Sequence, residues 1–234
     1  MLGKRTGKEK KLEKMNEELK DNGFIIIRGV FSSEDIDLMR MESMRYFNSG
    51  GGFSNSTGKA KPDWVKEDSL QQLRKKTEEK DFSKIISELI DEPVEFISHN
   101  DLHLNRSVGW HKDRLNNDAR IFEKNNPWSV INGESMKIYK VNLYLQDHLN
   151  DNDALTVSVG SHTKEKNTID NIHTTHPLKG DIVIFDQRIF HRGFYSGGYD
   201  RLLICMGYGV KNVFFEEFKK GTEYRQNKQN GVGI

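Results

Sequence analysis

The chain has 234 residues, one cysteine, and 36 basic against 35 acidic side chains, for a net charge of +1. That length fits one domain with a sizeable core, the lone cysteine excludes an internal disulfide framework, and the charge balance offers no global attraction to nucleic acid or membrane. No apolar run approaches the ~18 residues needed to cross a bilayer, and no apolar stretch follows the charged Met1-Leu2-Gly3-Lys4-Arg5, so a cytoplasmic location is expected.

Residues 1–10 are polar and expected to be frayed. Leu12, Met15 and Leu19 form one stripe of a helix, and Gly23 is placed to end it. Phe24 to Val30 reads as a strand. Ser32, with Asp35 three residues on, predicts the start of a second helix running to about Phe47. The stretch 49–60 is rich in Gly, Ser and Asn but lacks the Lys-Ser/Thr of a phosphate loop, so it is read as a mobile loop near the site. Short helices are expected near 66–79 and 82–90, with Arg74-Lys75-Lys76 on a solvated face.

After Pro93 strand signals dominate. Val94 to Leu104 alternates loosely, with Asp101, His103 and Asn105 on one side. The segment 114–134 shows no pattern and reads as a lid or binding loop; Trp110 and Trp128 are equally suited to a pocket wall and to packing. Strands are predicted at Ile138–Gln146, Leu155–Val159, Ile182–Phe185 and Tyr199–Tyr208. His162 is expected to be a structural hydrogen-bonding residue, and the pair His173 and His176 has no third ligand nearby. Cys205, inside an apolar run, is expected to be a buried thiol. A short helix is read over 214–220, and 225–234 is expected to be loose. Helices first and then about eight short strands predict a mainly β chain with N-terminal helices. The expected architecture is a double-stranded β-helix, a cupin-like jelly roll, with the helices packed on one sheet.

The chemistry gathers at Gly109-Trp110-His111-Lys112-Asp113. Side chains two apart on a strand point the same way, so His111 and Asp113 can reach one ion from one face. A third ligand must come from elsewhere, and His191, just after the Ile182–Phe185 run, is the candidate. Two histidines and one carboxylate with open positions is the ligand set of non-haem Fe(II) oxygenases. Arg201 follows ten residues later, across the turn-rich Ser196-Gly197-Gly198-Tyr199-Asp200, which reads as a hairpin returning it beside His191. A guanidinium there can clamp a carboxylate with two parallel hydrogen bonds. The co-substrate 2-oxoglutarate has that need: its keto-acid end chelates iron and its far carboxylate requires a fixed cation.

The spacing of His111, Asp113, His191 and Arg201 resembles that of the 2-oxoglutarate-dependent Fe(II) dioxygenases. Val141-Asn142-Leu143-Tyr144-Leu145-Gln146-Asp147, followed by Asp153-Ala154-Leu155 and Gly160-Ser161-His162, narrows the resemblance to the phytanoyl-CoA dioxygenase family. That family carries a Gly-Gly-Leu turn and a Pro-Gly-Ser-His loop at these places. This chain has Asp153-Ala154 for the glycines and Val159 for the proline, changes that touch no ligand. The resemblance spans about residues 15–210. It implies an iron enzyme that consumes 2-oxoglutarate and O2 and hydroxylates, or otherwise oxidises, an aliphatic C–H of a small-molecule metabolite. Halogenases of this kind lack the carboxylate kept here as Asp113. An upstream strand often supplies a further co-substrate contact, a role open to Asn105 or His103. An acyl-CoA substrate would call for basic residues at the mouth, for which Lys59, Lys61 and Lys112 are available. Two other classes compete: a zinc-dependent hydrolase, which has no use for Arg201, and a non-catalytic jelly-roll binding module, which has no use for three intact ligands.

Overall fold

In the computed structural model, residues 6–113 and 124–230 are described. The first helix, α1 (Gly7–Asn22), starts at Thr6, whose side chain accepts from Glu9 N while Glu9 bonds back to Thr6 N. It stops at Gly23, which sits at φ 84° as a left-handed cap. β1 (Phe24–Ile27) and α2 (Ser33–Asn48) follow, the latter capped by Ser32 as its sequence predicts. The glycine-rich stretch is a hairpin, β2 (Phe53–Asn55) and β3 (Gly58–Pro62). The mobile loop expected there is therefore corrected: Asn55 Oδ1 accepts from Thr57 N and Oγ1, a local turn that lets the two arms pair. Of the helix expected near 66–79 only α3 (Gln71–Glu78) forms; α4 (Phe82–Ile90) matches its expected range.

The strands continue with β4 (Glu95–Leu104), β5 (Val108–His111), β6 (Val130–Ile131), β7 (Glu134–Ser135), β8 (Ile138–Tyr144), β9 (Leu155–Ser158), β10 (Ile172–Thr174), β11 (Ile182–Asp186), β12 (His191–Gly193) and β13 (Leu202–Gly209). Residues 114–123 of the expected lid lie outside the described residues; part of its remainder is the β6–β7 hairpin. The chain closes with α5 (Val213–Gln229). The looseness expected over 225–234 is corrected as far as Gln229, because Arg225 and Gln226 are tied to Asp101 and to Ser98 O.

A seven-stranded sheet runs in the order β1-β11-β8-β13-β4-β3-β2 and a four-stranded sheet in the order β10-β9-β12-β5. Strand alternation sends the two sides of the large sheet into different cores. Ile182 and Ile184 of β11, and Leu202 and Ile204 of β13, pack against the helices with Ile36, Met39 and Trp64. Val183 and Phe185, with Leu203 and Cys205, meet Leu155 and Val157 of the small sheet. The run Ile182-Val183-Ile184-Phe185 shows no polar alternation because both its faces are covered. This is a jelly roll with the N-terminal helices on the outer face of the large sheet, as the element order predicts, while α5 packs against the other face of β4 through Phe214, Phe215 and Phe218.

One connection differs from expectation. Residues 196–200 do not form a hairpin: β12 pairs with β5 and β9, whereas β13 pairs with β4 and β8. This segment therefore crosses from the small sheet to the large one. Arg201 still lies close to β12, since a Cβ placed on Gly193 would be 3.4 Å from Arg201 Nη2. Among the described residues no helix is long and apolar enough to cross a membrane.

Candidate metal centre

β5 and β12 are antiparallel neighbours, and their register sets His111 directly opposite His191. Directly opposed residues present side chains on the same face of a sheet, and the two ring centroids are 4.4 Å apart. Asp113 follows in the turn after β5, with Oδ1 3.2 Å from His111 Nε2 and Oδ2 3.7 Å from His191 Nε2. Ligand atoms from all three residues lie within 4.8 Å of one another. The strand pairing thus brings together the three residues singled out from sequence.

Each imidazole is fixed in the same way. His111 Nδ1 is 2.7 Å from Gly109 O and His191 Nδ1 is 3.0 Å from Ile189 O. A carbonyl can only accept, so in both rings Nδ1 carries a proton and Nε2 is the atom turned toward Asp113. Two strand residues borrow the carbonyl two positions upstream, supplying the outer support that metal-binding histidines need. Burial and the neighbouring His111 push the His191 ring down to about 3, so it stays neutral. Burial opposes ionisation of Asp113, but the Lys140 ammonium holds its carboxyl well below the usual carboxylate range. Lys140 Nζ, reaching in from β8, is 2.6 Å from Asp113 Oδ2.

A cavity of about 240 Å³ opens beside the three ligands, between the two sheets. Its floor is the inner face of the large sheet, where alternate residues of β4, β8 and β13 project: His99, Asp101 and His103; Lys140, Asn142 and Tyr144; Leu203 and Cys205. Arg201 faces it from just before β13. Its Nη1 donates to Arg106 O at 2.6 Å, and its guanidinium lies 5.8 Å from the Tyr144 ring. Arg201 Nε is buried without a protein partner, and the Tyr144 hydroxyl lies against Asn142 and Arg201 themselves. A buried donor left unsatisfied costs free energy unless something else satisfies it.

The other expected residues divide. His103 faces the cavity, and burial together with nearby Arg106 keeps it well below its usual range and neutral. Asn105 does not line the cavity: Oδ1 accepts from Arg201 N at 2.7 Å and Nδ2 donates to Asp200 Oδ1 at 3.1 Å, so it positions Arg201 from behind. His162 bonds to Lys20 O, as expected of a structural residue. Trp110 stacks on Phe190, and Trp128 donates to His162 O beneath the Lys112 ammonium; both pack rather than line the cavity. Lys112 is spent on the carbonyls of Ser161 and Lys164, Lys59 reaches Phe47 O and Lys61 pairs with Glu67, so none of the three basic residues considered for an acyl-CoA guards this cavity. Cys205 is buried, and burial pushes its thiol up to about 11. A larger surface groove of about 730 Å³ beside α5 contains none of the candidate ligands.

Lys140, Tyr144, Arg106 and the pair Asp101–Arg225 escaped the sequence reading. The signal for the first two was present: Lys140, Asn142 and Tyr144 are the polar positions, two apart, of a strand whose other positions are apolar. Arg225 is found only through the fold, because it comes 124 residues after Asp101 and meets it with two bonds of 2.8 and 2.9 Å.

The buried neutral histidines make the metal-free protein sensitive to acid. His191 and His148 are pushed by burial to about 3 and about 4, while the unfolded rings titrate near ~6.5. Their neutral-state stability is complete above pH ~6.5 and is lost as pH falls toward 4, by up to about 1.4 kcal/mol per pH unit for each ring. Urea midpoints of metal-free protein should drop clearly between pH 7 and pH 5. An unchanged midpoint would show these rings protonated in the folded state.

No protein-family model matches this sequence, and no curated protein matches it. In three dimensions it is similar to solved structures. One is the non-haem alpha-ketoglutarate-dependent epimerase SnoN from nogalamycin biosynthesis, with 17% identity over 86% of this chain and 83% of that one and a TM-score of 0.65. Another is AviO1 from Streptomyces viridochromogenes, with 18% identity over 84% and 94% and a TM-score of 0.65. A third is HygX from Streptomyces hygroscopicus with nickel and 2-oxoglutarate bound, with 16% identity over 88% of each chain and a TM-score of 0.62. The likeness establishes the class of fold, a cupin-like double-stranded β-helix.

Proposed function

We propose that the protein is an Fe(II)- and 2-oxoglutarate-dependent oxygenase of the phytanoyl-CoA dioxygenase kind, oxidising an aliphatic C–H of a small-molecule metabolite in the cytoplasm. The observation that carries this reading is the pairing of two features in one cavity. Three donors converge with both imidazoles locked to present Nε2, and an arginine that no carboxylate among the described residues pairs with faces the same space. SnoN has been solved with Fe3+ and alpha-ketoglutarate, and HygX with nickel, 2-oxoglutarate and hygromycin B, which supports the same pair of groups for this shared fold.

The residues fit that pair. His111, Asp113 and His191 would hold the iron on one side and leave the other side open. Arg201, whose buried Nε lacks a partner, and the neighbouring Tyr144 would take the far carboxylate of 2-oxoglutarate. When bound, iron, 2-oxoglutarate and O2 supply the oxidising equivalents for C–H hydroxylation, with succinate and carbon dioxide as co-products. The protein's part is to keep His191 neutral, to hold Asp113 ionised against burial by means of Lys140, and to enclose the co-substrate between the two sheets. A zinc hydrolase is less well served. It needs a carboxylate free to act as a base, and Asp101, the other one lining the cavity, is clamped by both nitrogens of the Arg225 fork.

Anaerobic titration tests the reading. Fe(II) followed by 2-oxoglutarate should produce a weak visible charge-transfer band, and admitting O2 should release succinate. Absence of both, with zinc-dependent hydrolysis present instead, would overturn it.

A further inference from the structure

The cavity wall carries four cationic side chains, Arg106, Lys140, Arg201 and Arg225, and two carboxylates, Asp101 and Asp113. Lys140 pairs with Asp113 and Arg225 with Asp101. Two guanidiniums are left over, Arg201 and Arg106, and neither has a carboxylate partner among the described residues. Arg201 has a role in the function proposed above; Arg106 has none.

Arg106 is held deliberately. It sits in the 105–107 turn between β4 and β5, and the β2–β3 hairpin presses on that turn. Ser107 N donates to Thr57 O at 2.7 Å, and a Cβ on Gly58 would lie 2.6 Å from Asn105 O and 2.7 Å from Arg106 Cα. Gly58 has φ 127°, so only glycine allows this approach without strain. The Arg106 carbonyl receives Arg201 Nη1 at 2.6 Å, and its own Nη1 lies 3.0 Å from His103 Nε2. His103 and Tyr144 flank Leu203 in one row across the large sheet. The Arg106 head is therefore tied to one end of this row and the Arg201 head rests against the other. Arg106 Nε, like Arg201 Nε, is buried with no protein partner.

Resting on the 2-oxoglutarate reading, we infer that Arg106 is a second cation of the co-substrate pocket, so that the far carboxylate is received between two guanidiniums with His103 orienting one of them. An arginine whose fork is already fixed by an acceptor loses little freedom on binding an anion. The turn that carries it leads within five residues to His111. The β2–β3 hairpin then has a purpose in the site without touching it: it sets the height of the Arg106 turn.

The experiment compares 2-oxoglutarate with 2-oxopentanoate, a keto acid of equal length without the far carboxylate, by calorimetric titration into the Fe(II)-loaded protein without oxygen. The ratio of the two dissociation constants isolates the far carboxylate. Arg106→Met should shrink that ratio by about tenfold to a hundredfold while leaving 2-oxopentanoate binding unchanged, which shows that the metal site is intact. Arg106→Lys, which keeps charge but not the fork, should recover part of the preference and serves if the methionine variant does not fold. A preference unaltered in either folded variant would overturn the inference, and so would a loss confined to the primary substrate. Wild-type protein that binds both keto acids equally, or neither, would instead remove the 2-oxoglutarate reading itself.

Discussion

Asp113→Ala should abolish iron-dependent succinate release and weaken metal binding by well over a hundredfold, because even outer supports of a metal site contribute ten- to a hundredfold and this change deletes a ligand. The same substitution should also cost stability. Lys140 Nζ lies 2.6 Å from the lost carboxylate, and both groups are largely buried. Removing one member of a buried pair strands the other charge, at about 3–5 kcal/mol. The two effects separate in the double variant Asp113→Ala/Lys140→Met, which should recover much of the urea midpoint and none of the metal affinity. Calorimetric metal titration and denaturation of the single and double variants make the check. Undiminished iron binding in Asp113→Ala would reject the ligand set.

Arg201→Ala should raise the 2-oxoglutarate concentration needed for half-maximal succinate release by about a hundredfold or more, since it removes a charge-assisted, forked contact from a site that excludes water. Arg201→Lys should recover only part of this, because an ammonium cannot match the planar fork. Tyr144→Phe should have a smaller effect in the same direction, as it deletes one hydroxyl donor. Iron binding should be unchanged in all three. An unaltered 2-oxoglutarate requirement in Arg201→Ala would reduce that residue to packing against the Tyr144 ring.

What could be read in advance follows from how local each signal is. His111 and Asp113 are two apart, the first ending β5 and the second in the turn just after it, so their convergence is a local matter even though the single strand expected to carry both stops at His111. The caps at Gly23 and Ser32 and the apolar run Ile182–Phe185 are likewise local, and they fixed the element types. The hairpin at 130–135 was equally local and was overlooked: Asn132-Gly133, with φ of 51° and 81°, is the pair that a tight type I′ turn demands. The partnerships of Lys140 with Asp113 and of Arg225 with Asp101 depend instead on which sheet each strand joins and where α5 comes to rest, and no spacing in the chain encodes that. The connection between His191 and Arg201 shows the distinction. Its glycines signal a reversal of direction correctly, but whether the reversal stays in one sheet or changes sheets is decided by the hydrogen-bond partners of β12 and β13.

That change of sheets has a consequence for what the cavity accepts. His111 and His191 belong to one layer of the sandwich and Arg201 to the other, and packed layers stand about 10 Å apart. On the proposed function, a keto acid held at the metal centre and at Arg201 would run from one layer to an anchor rooted in the other. The distance between those anchors would be held by the apolar filling between the layers, Val157, Phe185 and Ile189, side chains that carry no charge to a ligand at all.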